Sequence, residues 1–88
     1  MKVRIDKSFE KDTNKIQDVR LLQKLASVIE HCIIVDSLQK IPNCKKLSGY
    51  KNYYRIKLGT YRIGFCLEND ELLFERILHR KDIYQNFP

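Results

Sequence analysis

Three basic residues, Arg55, Lys57 and Arg62, lie close together in a stretch that alternates between polar and apolar positions. If two β-strands meet at the Gly59-Thr60 pair, Lys57 stands directly opposite Arg62 on one face of the sheet. Like charges in directly opposed positions destabilise a sheet, so this arrangement favours a site for an anion. The alternative is that the long side chains simply spread into water.

The segment around these residues carries the whole net charge of the chain. The 88 residues include 17 Lys and Arg against 11 Asp and Glu, a net charge of +6. Segment 45–62 contains six of the basic residues, no acidic residue and four of the five tyrosines. Clustered cations with interleaved aromatic rings suit nucleic acid, whereas a solvated basic surface is the plainer alternative. The candidate RNA-binding residues are Lys45, Lys46, Lys51, Tyr53 and Arg55.

If the anion is RNA, the same cluster has the residue types for cleavage without a metal. Cleavage needs a base for the ribose 2′-hydroxyl, cations for the phosphorane and an acid for the departing 5′-oxygen. Lys57 is the candidate base, because Arg62 stays charged and can only clamp the phosphate. His79 is a candidate acid, although a single histidine is more often a surface or structural residue. The chain has no Ser-His-Asp order and no glycine-rich phosphate loop.

Hydrophobic periodicity predicts the elements that position these residues. Residues 2–5 alternate as a short strand, and Asp6 or Ser8 caps a helix of about two turns that ends at Ile16. A longer amphipathic helix is predicted from a cap at residue 18 to about residue 39. Its apolar stripe is expected to consist of Leu22, Leu25, Ala26, Ile29, Cys32 and Ile33.

Three strands are predicted in the second half, over 53–58, 61–68 and 71–79. The third is apolar on both faces, with Leu72, Phe74 and Leu78 on one and Leu73 and Ile77 on the other. The tail from Arg80 to Pro88 is expected to form a short turn or helical cap. The predicted architecture is α+β in a single domain of residues 1–88: an N-terminal strand, a helical hairpin and a three-stranded antiparallel meander, with the helices packed on one face.

The cysteines and the apolar runs exclude several classes of protein. Cys32, Cys44 and Cys66 are odd in number and widely spaced, so they match neither a disulfide framework nor a zinc site. No apolar run is long enough to cross a membrane, and the residues after Met1 lack the apolar centre of a secretory signal. We therefore expect a cytoplasmic protein with no metal, no cofactor and no membrane partner.

The run KLSGYKNYYRIKLGTYRIGF, together with the C-terminal HRKDIY, resembles the RelE/ParE superfamily of type II toxins, most strongly over 45–84. The resemblance implies a small α+β toxin that a cognate antitoxin wraps and neutralises. RelE-like members cleave mRNA in the ribosomal A site without a metal and leave a 2′,3′-cyclic phosphate. ParE-like members inhibit DNA gyrase and lack the nuclease residues.

The resemblance transfers the RelE-type basic residues of the hairpin to Arg55, Lys57 and Arg62. The position of Arg55 is lysine in the best-known RelE-type pattern, so Lys57 is the only lysine of that pair. Because the net charge is concentrated in one segment, we expect an acidic, partly disordered antitoxin. The predicted function is that of an endonuclease that cleaves mRNA in the ribosomal A site, with mRNA and the small ribosomal subunit as partners. The alternatives are a gyrase-inhibiting toxin and an RNA-binding domain that has lost catalysis.

The C-terminal arginine and tyrosine of the RelE-type pattern fall on Arg80 and Tyr84. His79 precedes Arg80, as in family members that use a histidine near the C-terminus, so either residue is a candidate for the acid. Tyr84 would stack on a base or orient the 2′-hydroxyl, and its alternative role is a hydrophobic cap on the sheet edge.

Overall fold

A five-stranded sheet runs through the protein in the computed structural model, which describes all 88 residues. The elements in chain order are β1 (Lys2–Ile5), α1 (Lys7–Asn14), α2 (Val19–Ile34), a 3-10 turn (Leu38–Lys40), β2 (Cys44–Lys46), β3 (Tyr53–Leu58), β4 (Tyr61–Glu68), β5 (Glu71–His79) and α3 (Ile83–Asn86). The strands lie in the order β1-β5-β4-β3-β2, with β1 parallel to β5 and all other pairs antiparallel. The predicted α+β class is confirmed.

The predicted meander strands β3, β4 and β5 are confirmed, but the sheet is wider than the sequence indicated. β2 has only three residues, too few for an alternating pattern to be recognised. It pairs with β3 through Lys45 and Arg55. At the other edge, Val3 of β1 lies beside Leu72 of β5. The meander therefore forms the centre of the sheet.

Side-chain caps begin both long helices. The Asp6 carboxylate accepts a hydrogen bond from the Ser8 amide (3.1 Å), so Asp6 is the cap of α1. Asp18 caps α2 by accepting from the amides of Arg20 and Leu21. The predicted extension of α2 to about residue 39 is wrong, since the backbone is already extended at residue 35. Asp and Ser at 36–37 favour local turns over helix and end it early.

The buried stripe of α2 agrees only in part with the predicted one. Leu21, Leu25 and Cys32 are buried, whereas Ala26 is exposed and Ile33 is 53% exposed. Two apolar stripes run side by side along this helix, and both satisfy a helical period. Packing against the sheet selects between them. Leu25 and Cys32 of the predicted stripe are buried and Ile29 packs against the core, so the prediction is wrong only for Ala26 and Ile33 and in omitting Leu21.

The core lies between α1, α2 and one face of the sheet. It contains 13 buried residues, among them Ile56, Ile63, Phe65 and Phe74. The Phe74 ring packs against Phe9 of α1 with centroids 5.6 Å apart. The predicted inward faces of β3 and β4 are thereby confirmed.

A β-bulge in β5 corrects the predicted faces of that strand. Gly64 pairs with Arg76 and Phe65 with Phe74, so Glu75 is an extra residue between the two pairs. Beyond the bulge, Ile77 joins the core, and Leu78 pairs with Arg62. The prediction that Leu78 shares the face of Phe74 is therefore wrong, because the extra residue reverses the alternation.

The bulge also determines the partner of Arg76. Its guanidinium donates two hydrogen bonds, of 2.8 and 3.1 Å, to the buried carboxylate of Asp12 in α1. The same carboxylate accepts from the Ile77 amide at 3.1 Å, beyond the end of β1. Asp12 thus accepts a hydrogen bond from a backbone amide of β5 at a position where no neighbouring strand pairs with β5.

The C-terminal segment packs on the opposite side of the sheet. Ile83 and Phe87 are buried but do not belong to the 13-residue core. Phe87 lies against Gly64, whose neighbours in β4 face the helices. We call this side, which also carries Arg62, the open face. The predicted helical cap is confirmed as the four-residue helix α3.

Candidate nucleic-acid interface

Lys57 and Arg62 form a directly opposed pair across the β3–β4 hairpin. Residues in this relation have their Cβ atoms about 4.5–5.5 Å apart. The Arg62 guanidinium donates to the carbonyls of Gly59 (2.9 Å) and Tyr61 (2.8 Å), which holds it over the turn. The Lys57 side chain is exposed. Neither residue belongs to any of the three ion pairs of the protein, so both charges are available to an external anion.

Arg55 belongs to the same face but to a different depression. Its guanidinium donates to the Asn43 carbonyl at 2.9 Å. It lines a cavity of about 200 Å³ with Lys45, Lys46 and Tyr84. The loop residues Leu47 and Ser48 complete the lining, and sequence analysis missed them because the loop carries no periodicity. The three predicted cations of the hairpin thus share one face without sharing one cavity.

Tyr84, a residue of α3, lines this cavity and is 59% exposed. Since Lys45 pairs with Arg55 across β2 and β3, the cavity brings their positive charges beside an aromatic ring. None of the lining residues is acidic. The arrangement offers cations for phosphate oxygens and a ring for base stacking.

Arg80 lies at the hairpin turn as well. Its backbone amide donates to the Thr60 carbonyl at 2.8 Å, next to the carbonyls that hold Arg62. The Arg80 residue is exposed and has no carboxylate partner. The turn therefore brings Lys57, Arg62 and the Arg80 backbone to one end of the sheet.

His79 is on the other side of the sheet from Lys57 and Arg62. It pairs with Tyr61, and the two rings meet edge to face with centroids 5.8 Å apart. It lines a cavity of about 190 Å³ with Asp12 and Arg76, under the helices. Its Nδ1 accepts from the Lys81 amide at 3.2 Å. The bulge at residue 75 explains this position, because it reverses the alternation before His79 is reached.

The two remaining predicted RNA-binding residues have different settings. Lys51 is exposed in the loop before β3. The Tyr53 ring is half-buried between Tyr50 and Phe87, with both centroids 5.6 Å away. The pKa of the Tyr53 hydroxyl is raised, mainly because the Glu75 carboxylate disfavours the phenolate. Tyr53 is thus engaged within the protein, whereas Lys51 is free.

The cysteines are not arranged as nucleophiles or metal ligands. All three are free thiols. Burial raises the pKa of Cys44 to about 11, and it also raises the pKa values of Cys32 and Cys66. No three His, Cys, Asp or Glu side chains are grouped so that they could hold a metal ion. No helix has the length and apolar character needed to cross a membrane.

Comparison with known proteins identifies the family. Residues 3–84 match the model of the ParE toxin of the type II toxin-antitoxin system parDE. The chain belongs to the RelE/ParE family of type II toxins. It is 42% identical over 89 residues to toxin RelE3 of Methanocaldococcus jannaschii, covering all of both chains. The family resemblance seen in the sequence, and with it a type II toxin, is confirmed.

Solved structures of the family agree with this fold. The RelB-RelE antitoxin-toxin complex from Methanococcus jannaschii matches with a TM-score of 0.83 and 39% identity, over 97% of this chain and 99% of that chain. YafQ from E. coli matches with a TM-score of 0.63 and 20% identity, over 90% of this chain and 92% of that chain. At that lower identity, the likeness to YafQ concerns the fold alone.

Proposed function

We propose that this toxin is an endoribonuclease that cleaves mRNA in the ribosomal A site and so inhibits translation. The observation that carries the proposal is the Lys57–Arg62 pair, unneutralised by any carboxylate and adjacent to the Arg80 backbone at the hairpin turn. A stable sheet keeps opposed like charges at a cost, which an anionic substrate offsets. The full-length similarity to a RelE toxin supports RelE-type activity.

In the proposed reaction, the neutral amine of Lys57 takes the proton of a ribose 2′-hydroxyl. The 2′-oxygen then attacks the adjacent phosphorus, and the bond from phosphorus to the 5′-oxygen breaks. The 5′-oxygen takes a proton from water, which leaves a 2′,3′-cyclic phosphate and a 5′-hydroxyl. The Arg62 guanidinium stabilises the charge that develops on the phosphorane. These steps use no cofactor.

We assign the stabilisation of the departing 5′-oxygen to Arg80 rather than to His79. The Arg80 amide is hydrogen-bonded to the same turn as the Arg62 guanidinium, whereas His79 packs edge to face against Tyr61 on the helix side of the sheet. An arginine does not release its proton, so in this role it acts by its charge.

RNA on either side of the cleaved bond is proposed to lie along the open face. The exposed ring of Tyr84 would stack on a base or orient the 2′-hydroxyl, and Arg55, Lys45 and Lys46 would bind phosphates. Lys51 would extend this basic surface. Tyr53 would support the surface rather than contact RNA, because its half-buried ring packs edge to face against Tyr50 and Phe87.

The proposed partners are mRNA, the small ribosomal subunit and a cognate antitoxin, all in the cytoplasm. The solved relative with 39% identity is a complex of toxin and antitoxin. The antitoxin of this chain would be acidic and partly disordered, because the surface it must neutralise carries the whole net charge of +6.

Induced expression followed by mapping of mRNA 5′ ends tests the proposal. Wild-type protein is expected to arrest growth and to create new 5′ ends within translated codons. Lys57→Ala and Arg62→Ala should abolish these ends, while Lys11→Ala, a matched loss of one charge on exposed α1, should leave them unchanged. Cleavage at the wild-type rate by both site variants would contradict the proposal.

A ParE-like activity is the second candidate, because the matching family model is that of a ParE toxin. A gyrase inhibitor would block supercoiling in a purified assay, induce DNA damage on expression and create no new mRNA ends. An RNA-binding domain without catalysis would show neither effect, but would bind RNA with an affinity that falls steeply with salt.

A further inference from the structure

Two buried side chains attach the short helix α3 to the open face of the sheet. Ile83 is fully buried and Phe87 is 4% exposed. Ile83 is the first residue of α3 and Phe87 follows its last residue with an extended backbone, so the two anchors lie at either end of the helix, and Tyr84 between them lines the cavity of Arg55. A helix of four residues has almost no stability of its own. The position of Tyr84 therefore depends on these two anchors.

Gly64 provides the space in which Phe87 sits. A Cβ atom at this position would lie 2.6 Å from two carbons of the Phe87 ring and 2.7 Å from a third. Gly49 and Gly59 have positive φ angles, but Gly64 does not. Close approach of the ring, and not an unusual backbone conformation, is thus the reason for glycine here. Any larger residue would displace the ring.

The Phe87 ring packs close to Arg55, which lines the basic cavity. Gly64 pairs with Arg55 across β3 and β4, so the ring packs one strand away from the arginine that Tyr84 approaches. Tyr53 forms the second wall, with its ring edge to face against Phe87 at 5.6 Å and 85°. The glycine and two aromatic rings thus locate α3 relative to Arg55.

We propose that Gly64 and Phe87 form a positioning pair that holds Tyr84 beside Arg55 in the geometry needed for RNA cleavage. Phe87 is a positioning residue, since its buried ring acts through α3 and does not touch RNA. This inference rests on the proposed function, because the activity affected is that of the same face. A misplacement of about 1 Å in such a site lowers a rate by about 100-fold.

Kinetics of mRNA cleavage on programmed ribosomes test the pair. Phe87→Ala is expected to lower kcat by about 10- to 100-fold with KM changed by less than about threefold, and Phe87→Leu is expected to restore most of kcat. Val35→Ala, a buried truncation at the end of α2, controls for lost stability. A folded Phe87→Ala protein with the kcat of Val35→Ala would overturn the proposal.

A double-mutant cycle separates positioning from general damage. Gly64→Ala alone is expected to reproduce the loss of kcat seen in Phe87→Ala, because the added methyl displaces the ring. In a Phe87→Ala background the same methyl meets no ring, so the double variant should be no slower than Phe87→Ala. Losses that multiply in the double variant would overturn the proposal.

Fluorine NMR of protein labelled with 3-fluorotyrosine reports the environment of the Tyr84 ring in the absence of substrate. The Tyr84 resonance is assigned by its loss in Tyr84→Phe. It is expected to move toward the unfolded position in Phe87→Ala and Gly64→Ala, while the Tyr61 resonance stays. An unmoved Tyr84 resonance in both variants would overturn the proposal. If the wild-type protein cleaves no mRNA, the proposed function fails, and the resonance still decides whether Phe87 positions Tyr84.

Discussion

The two faces of the sheet differ in what covers them. Under α1 and α2, 13 buried residues form a continuous core. On the open face the C-terminal segment contributes only Ile83 and Phe87 as buried anchors, and Lys45 and Lys57 are exposed. Both faces come from the same strands, since Ile56 is buried and its neighbour Lys57 is exposed. Alternation along a strand therefore assigns stability to one face and binding to the other.

The two faces of the sheet have opposite requirements for stability. The covered face gains stability from every apolar contact. The open face concentrates like charges, Lys57 against Arg62 and Lys45 against Arg55, which lowers stability until an anion binds. Substitutions on the two faces are thus expected to change stability and activity in different combinations.

The largest effect on stability is expected on the covered face. Phe74→Ala removes a fully buried ring that packs on Phe9 and Phe65, and should lower the free energy of unfolding by about 3–5 kcal/mol. Ile83→Ala on the open face should cost clearly less, because α3 can open locally without the core. Urea denaturation measures both. Equal losses would contradict the division between the faces.

A somewhat smaller loss of stability is expected at the edge of β5, where Asp12 of α1 binds Arg76. Asp12→Ala leaves the Arg76 guanidinium and the Ile77 amide without their partner, and should cost about 3 kcal/mol. Adding Arg76→Met should recover part of this loss, since no unpaired charge then remains. Thermal denaturation of the single and double variants checks this, and a double variant less stable than Asp12→Ala would argue against the ion pair as the cause.

A small gain in stability is expected from removing a charge on the open face. Lys57→Gln relieves repulsion with Arg62 and should raise the free energy of unfolding by about 0.2–1 kcal/mol at low salt, while it removes the proposed base. The gain should shrink at high salt because the repulsion is screened. Lys57→Arg keeps the charge and should show no gain. A loss of stability in Lys57→Gln would contradict the account of this face.

The smallest expected effect is on the pH dependence of stability. Burial first, and then the Asp6 and Glu68 carboxylates, raise the pKa of Glu75 above 4.5. The native protein therefore holds this proton to a higher pH than the unfolded chain, and stability falls as pH rises from about 4.5 through the raised value. Glu75→Gln should weaken this fall, measured as the change in Tm between acidic and neutral pH. Glu30→Gln, on exposed α2, should not alter it.

Local sequence patterns predicted most of the fold. The cap at Asp18, the three meander strands and the Lys57–Arg62 register were predicted correctly, and Asp6 was one of the two residues proposed for the first cap, because each of these features depends on residues a few positions apart. The predicted end of α2 was wrong, since a weak helix breaker at residue 36 is not visible in hydrophobic periodicity. The three-residue strand β2 was missed because it is too short to alternate.

The site was predictable in its composition but not in its grouping. Arg55, Lys57 and Arg62 do share a face, but Arg55 belongs with Tyr84 in a separate cavity. His79 lies beyond the bulge at Glu75, on the helix side. A strand that is apolar on both faces shows no alternation of polar and apolar residues, so its sequence does not reveal the extra residue of a bulge.

The amino-acid sequence was enough to predict the two long helices, four of the five strands and the segment that carries the net charge, because periodicity and charge are properties of neighbouring residues. Which residues of α2 are buried, on which side of the sheet His79 lies and how Phe87 packs on Gly64 could not be predicted in this way. Those outcomes depend on contacts between residues far apart in the chain. A shift of one residue in strand register is enough to move a side chain from one face of the sheet to the other.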